Sequence, residues 1–189
     1  TLLDWGNVDS SAAIIEKNLS LESRREAFTF LCITTLLRID FDEARGCLTD
    51  GFHDRGVDAV YLDERFGRRV IHLFQIKCHG AFARTNRNFP SSEIDKLLSF
   101  ITDCFSQVEG FQDSCNPLLQ QKVVDIWDFV QGGSCQVEVH LCSNGERLVP
   151  EQRARFESSL QKFKVIELHE TDLDNLSDRV ARRGPSDRE

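Results

Sequence analysis

GVDAVYLDERFGRRVIHLFQIKC, residues 56–78, decides the fold. It consists of two short apolar runs joined by a charged turn, which predicts strands at about 57–63 and 69–77 with the turn centred near Arg65 to Gly67. Three polar residues interrupt the apolar pattern: Asp58 where the first strand begins, and Gln75 and Lys77 near the end of the second. A buried strand avoids such residues unless they have partners or a task. Strand side chains alternate between faces, so Gln75 and Lys77 share a face with Ile71 and Leu73, while Val70, His72, Phe74 and Ile76 share the other. The second strand is therefore expected to be covered on both sides, with its polar pair confined to one end of one face. In a hairpin with this turn, Asp58 comes opposite the Gln75 region, within a residue or two. An acid, an amide oxygen and an ammonium are thus expected to converge at the open end of the hairpin.

Outward from the hairpin, the chain alternates between helical and extended patterns. Residues 8–18 predict a short helix, and 21–37 (LESRREAFTFLCITTLL) a firm one with Ser20 as N-cap and Glu22 in its first turn. One more helical turn is expected at 41–46, followed by a loop at TDGFHDRG. After the hairpin comes an irregular basic loop, HGAFARTNRNFPSS, and then helices at 91–107 (Ser92 as cap) and 117–131, the second ended by Gly132 and Gly133. CQVEVHLCS predicts a strand, PEQRARFESSLQKF a helix opened by Pro150, and KVIELHE the last strand. No element is assigned between that strand and the tail RRGPSDRE. The closing strand–helix–strand unit implies parallel pairing with a right-handed crossover. The expected class is α/β, a mixed central sheet with helices on both faces. One domain is expected over residues 1–182, with 183–189 as a flexible tail or linker.

The polar set at the hairpin end suits a hard divalent cation, Mg²⁺ or Mn²⁺, which takes oxygen ligands and keeps several waters. Asp58 offers a carboxylate, Gln75 a side-chain carbonyl and Ile76 a backbone carbonyl. Lys77 cannot ligate while charged, but it can hold the attacking water or stabilise charge on a phosphate. One carboxylate is few for a divalent ion, so a second acid is sought. On the first long helix Glu26, Phe30, Ile33 and Leu37 form one stripe, which makes Glu26 that candidate. The alternative for Glu26 is an outward turn at the helix N-terminus, where acids are favoured anyway; Glu43 and Asp54 are the fallback acids. A buried Asp58–Lys77 salt bridge that merely holds the hairpin is the structural alternative for the whole set.

On these residues the chain resembles the PD-(D/E)XK nuclease superfamily, in the branch with Gln at the acid position seen in Mrr-like restriction endonucleases. TDGFHDRGVDAVYLDE followed by IHLFQIKC also resembles the N-terminal nuclease domain of AIPR (abortive infection phage resistance) proteins. The likeness is strongest over residues 24–78. It implies a restriction-endonuclease-like fold and phosphodiester hydrolysis, with DNA favoured over RNA, in bacterial defence against phage. It also implies Asp58 as the metal-binding Asp, Gln75 as the substituted acid, Lys77 as the catalytic Lys and Glu26 as the helix acid. Gln75 lowers the charge of the site and leaves room for inactive relatives. Such a protein would continue past Glu189. The chain also begins at Thr1 and contains no Met, as expected of a processed or excised piece.

Composition sets the remaining bounds. The net charge of −8 argues against a general nucleic-acid coat protein. Charge is uneven, however: from Arg65 to Ser92 there is no Asp or Glu, and Arg68, Arg69, Arg84 and Arg87 are candidates to hold backbone phosphates. On charge alone, a solvated turn and loop is the favoured reading of that window. Seven scattered cysteines with no C-x-x-C pair argue against a zinc ribbon and for a reducing, cytoplasmic compartment. There is no run of 18 uncharged apolar residues and no signal-peptide layout, so no membrane partner is expected. Two active sites serve a double-strand cut, which is compatible with a homodimer. No nucleotide-binding glycine motif occurs.

Among the histidines, His72 and His140 fall within strands and read as packed or edge residues rather than ligands, and His79 reads as a loop residue. A Cys78–His79 thiol nucleophile is disfavoured because neighbours on a strand point opposite ways. The alternative function, from a different class, is a nuclease-fold module that only binds nucleic acid or a partner protein, as a sensor or scaffold.

Overall fold

The computed structural model describes residues 1–49 and 51–182. Four strands lie in chain order: β1 (Ala59–Asp63), β2 (Val70–Lys77), β3 (Gln136–Ser143) and β4 (Ile166–Thr171). β1 and β2 form an antiparallel hairpin, while β2, β3 and β4 run parallel. The helices are α1 (Leu2–Asn18), α2 (Arg24–Leu37), α3 (Phe41–Arg45), α4 (Ser91–Phe105), α5 (Pro117–Gln131), α6 (Pro150–Leu160) and α7 (Leu173–Arg182). The result is the mixed sheet with helices on both faces that the hydrophobic pattern predicts.

Topology explains the layering. Right-handed crossovers from β2 to β3 and from β3 to β4, stepping the same way across the sheet, place α4, α5 and α6 on one face. There Ile71, Leu73, Val137, Val139 and Leu141 pack against Leu97, Phe100, Val123 and Phe156. The opposite face is closed by α1, α2 and α7, with Phe74, Ile76 and Cys142 against Phe28, Phe30, Ile33 and Leu176. Each large apolar side chain so buried contributes about 1.5–3 kcal/mol. The α2 stripe predicted from spacing, Phe30, Ile33 and Leu37, is buried. Trp127 ties α5 to α4 through an indole N–H donated to the Cys104 carbonyl at 2.9 Å. All seven cysteines are free thiols.

Three boundaries differ from expectation. Helix α1 begins at Leu2 rather than residue 8, because Thr1 and Asp4 form a capping box. Helix α2 starts at Arg24, capped by Ser23, whose hydroxyl accepts from the Glu26 N–H at 3.2 Å. Ser20, the expected cap, has a left-handed φ of 52° and belongs to the turn out of α1. Helix α4 has Pro90 at its N-cap position, with no side-chain cap from Ser92.

Helix α7 was not expected. Its buried residues, Leu173, Leu176, Ser177 and Val180, follow the i, i+3, i+4, i+7 pattern, so the signal was present in the sequence. The tail at 183–189 lies outside the described residues. No described helix is long and apolar enough to cross a membrane.

Candidate active site

The hairpin register brings the predicted polar residues together. Ala59 pairs with Phe74, which sets Asp58 opposite Gln75, and the Asp58 N–H donates to the Phe74 carbonyl at 2.8 Å. Asp58 and Gln75 are both buried. Gln75 Nε2 donates to Asp58 Oδ2 at 3.0 Å, and the Ile76 N–H donates to the same oxygen at 2.5 Å. Asp58 therefore ties down the end of β2 from across the hairpin.

The segment before β1 is held just as firmly. Thr49 donates from its hydroxyl to the Val57 carbonyl at 2.6 Å, and Arg55 reaches Asp103 on α4 at 2.6 Å. Gly56 has a φ of 77°, and a Cβ there would lie 2.9 Å from Lys96 Cβ and 3.1 Å from Gln75 Oε1. Gly56→Ala is accordingly expected to cost about 1–3 kcal/mol from backbone strain alone. The check is a urea melt, in which the midpoint falls while the slope stays constant.

Three features bear on a cation. Gln75 Oε1 is buried without a hydrogen-bond partner, an acceptor left for a donor or a positive ion. Asp58 Oδ1 faces the Arg25 guanidinium of α2 at 3.9 Å. Lys77 is half-buried and makes no ion pair among the described residues. The Asp58–Lys77 salt bridge weighed from the sequence is thus not formed; the cation beside Asp58 is Arg25. The oxygen donors Asp58 Oδ1 and Gln75 Oε1 fit a hard divalent ion, with Arg25 as its competitor. Ile76 engages Asp58 through its N–H, whereas the sequence reading offered its carbonyl.

Glu26 is half-buried in the first turn of α2, and from that turn it is its neighbour Arg25 that contacts Asp58. Of the fallback acids, Glu43 is exposed on α3, and Asp54 Oδ1 accepts from the Gly56 N–H at 2.9 Å.

The predicted phosphate-holding arginines divide into two groups. Arg84 and Arg87 are exposed in the loop after β2 and, with Lys77, act electrostatically on His79. Burial first, and these three cations next, hold the His79 imidazole below its ordinary pKa. Arg68 and Arg69 lie at the turn, six or more residue steps from Asp58 along the hairpin, or roughly 20 Å at strand rise. Arg69 is also committed: it donates to Glu64 at 2.9 Å and to the Phe129 carbonyl at 2.7 Å, and its guanidinium carbon lies 4.1 Å from the Phe129 ring centroid. Arg68 bonds Gln136 at 2.6 Å. These two arginines therefore stand at the opposite end of β2 from Lys77, and the charge window that grouped them with Arg84 and Arg87 is pulled apart by the strand length.

A cleft of about 520 Å³ borders this end of the sheet, lined in part by Arg24, Arg25, Cys78, His79 and Phe82. Burial pushes the Cys78 thiol up to about 11, and its sulfur is directed to the His79 carbonyl rather than the imidazole, so thiolate chemistry is unsupported. The sequence reading also missed a convergence of His72, Glu138 and His140 on the opposite face.

Comparison with protein-family models, with curated proteins and with solved structures finds no match for this chain.

Proposed function

We propose that this chain is a metal-dependent nuclease that hydrolyses phosphodiester bonds, with DNA as the preferred substrate class. The observation that carries the reading is the contact of Asp58 with Gln75 at one end of the hairpin, with Gln75 Oε1 buried and unpartnered and with Lys77 two residues further along the same strand face, making no ion pair among the described residues. Asp58 and Gln75 would hold Mg²⁺ or Mn²⁺, with Glu26, the acid of the α2 first turn, as the further candidate ligand. When bound, the ion supplies an activated water and neutralises phosphate charge. Lys77 places its ammonium where charge develops on the phosphoryl oxygens. Arg84 and Arg87, exposed on the same side of the strand end, hold the flanking backbone. The resemblance over residues 24–78 supports a setting in bacterial anti-phage defence, in the cytoplasm, with a homodimer suited to double-strand cuts.

Purified protein is expected to nick plasmid DNA with added Mn²⁺ or Mg²⁺, to stop on chelation, and to lose the activity in Asp58→Asn. Cleavage that is unchanged by chelator or by Asp58→Asn counts against the assignment. A second reading draws on Arg25, since a guanidinium beside the Asp58 carboxylate already offsets charge that a metal needs. In that reading the domain binds nucleic acid or a partner protein without cutting. Calorimetry separates the two: DNA binding without any Mg²⁺ or Mn²⁺ binding favours the silent module.

A further inference from the structure

On the face of the sheet turned away from Gln75 and Lys77, three parallel strands line up a second set of ligand-type side chains. The registers pair His72 with Glu138 and His140 with His169, and all four residues fall on the α1/α2/α7 face. The rings of His72, His140 and His169 stack in series, with centroids 5.2 and 5.3 Å apart. His72 Nδ1 lies 3.0 Å from His140 Nε2, and Glu138 Oε2 lies 3.4 Å from the first and 3.6 Å from the second. His169 Nε2 approaches the same carboxylate oxygen at 3.8 Å. Ligand atoms on a tetrahedron with bonds of about 2.0–2.1 Å lie about 3.3–3.4 Å apart, which these edges bracket.

Hydrogen bonding alone leaves the cluster unsatisfied. His72 Nδ1 and His140 Nε2 can share one proton between them. The Glu138 carboxylate then accepts no hydrogen bond from a described residue, although two ring nitrogens face it. His72 Nε2 is buried with no hydrogen-bond partner, and the nearest carboxylate oxygen, Asp63 Oδ2, is 3.8 Å away. A cation at the centre resolves the arrangement. Both imidazole lone pairs and the carboxylate then point at the ion, and His72 keeps its proton on Nε2, towards Asp63. A carboxylate behind the second nitrogen of a ligating histidine is the usual outer support of such sites. Imidazole nitrogens with one carboxylate, near tetrahedral spacing, suit a borderline ion of the Zn²⁺ kind rather than Mg²⁺.

We propose that His72, Glu138 and His140 form a Zn²⁺-class site that cross-links β2 and β3, separate from the Asp58 end, with the fourth position left to water. Its side chains come from two neighbouring parallel strands and it lies on the face that Gln75 and Lys77 do not share, so its role is to staple the sheet. The proposal stands independently of the nuclease reading.

The test titrates chelator-stripped protein with Co²⁺ and then Zn²⁺. One equivalent of Co²⁺ is expected to give the visible bands of tetrahedral coordination, and Zn²⁺ should displace it and raise the melting temperature. His140→Gln should abolish the bands. Glu138→Gln, at a half-exposed position where folding is safer and is checked by circular dichroism, should weaken binding at least tenfold. Asp58→Asn should leave it unchanged. Absence of stoichiometric binding, full binding in both folded cluster variants, or loss of binding in Asp58→Asn would each overturn the site.

Discussion

Lys77→Ala is expected to lower Mn²⁺-supported nicking of plasmid DNA by about a hundredfold or more while the protein stays folded. A hundredfold corresponds to about 2.7 kcal/mol of transition-state stabilisation, a size that a single well-placed cation supplies. Lys77 ends β2 beside Ser143 of β3 and has no ion pair among the described residues. Its removal therefore leaves no partner charge stranded, and the stability change should stay below about 1 kcal/mol. Calorimetry on the same variant should show Mn²⁺ binding intact, whereas Asp58→Asn should lose it. That split assigns Lys77 to the reacting phosphate and Asp58 to the ion. Wild-type activity in a folded Lys77→Ala protein would remove Lys77 from the mechanism.

Asp58→Ala carries the other large effect, on the fold. The Asp58 carboxylate accepts from the buried Ile76 N–H and from Gln75 Nε2 through one oxygen. Alanine strands both donors at about 1–3 kcal/mol each, so a loss of roughly 2–6 kcal/mol is expected. Asp58→Asn keeps an acceptor oxygen and should cost far less, which makes it the variant for activity measurements. The comparison is a pair of urea melts. A wild-type midpoint for Asp58→Ala would show that the carboxylate contributes no net stability through these bonds.

The division between the two kinds of information runs through particular residues. The hairpin, the parallel β3–α6–β4 unit and the buried stripe of α2 were legible, because two-residue and 3.6-residue periods are local and a turn of known position sets the register beside it. Asp58 opposite Gln75 follows from that register alone. Helix α7 was equally legible from Leu173, Leu176 and Val180, whose spacing puts them on one helical face.

The charge window was misleading for Arg68 and Arg69. Sequence proximity to Arg84 and Arg87 concealed a whole strand length between the turn and the strand end. Two further features belong to the tertiary structure alone. Arg25 faces Asp58 because α2 packs across the sheet, 33 residues away in the chain. His72, Glu138, His140 and His169 meet because three strands separated by long helical crossovers come into one register. Spacing in the sequence carries no trace of such a meeting: strand periodicity assigns each residue to a face, and only the pairing of parallel neighbours decides which side chains share a point on it.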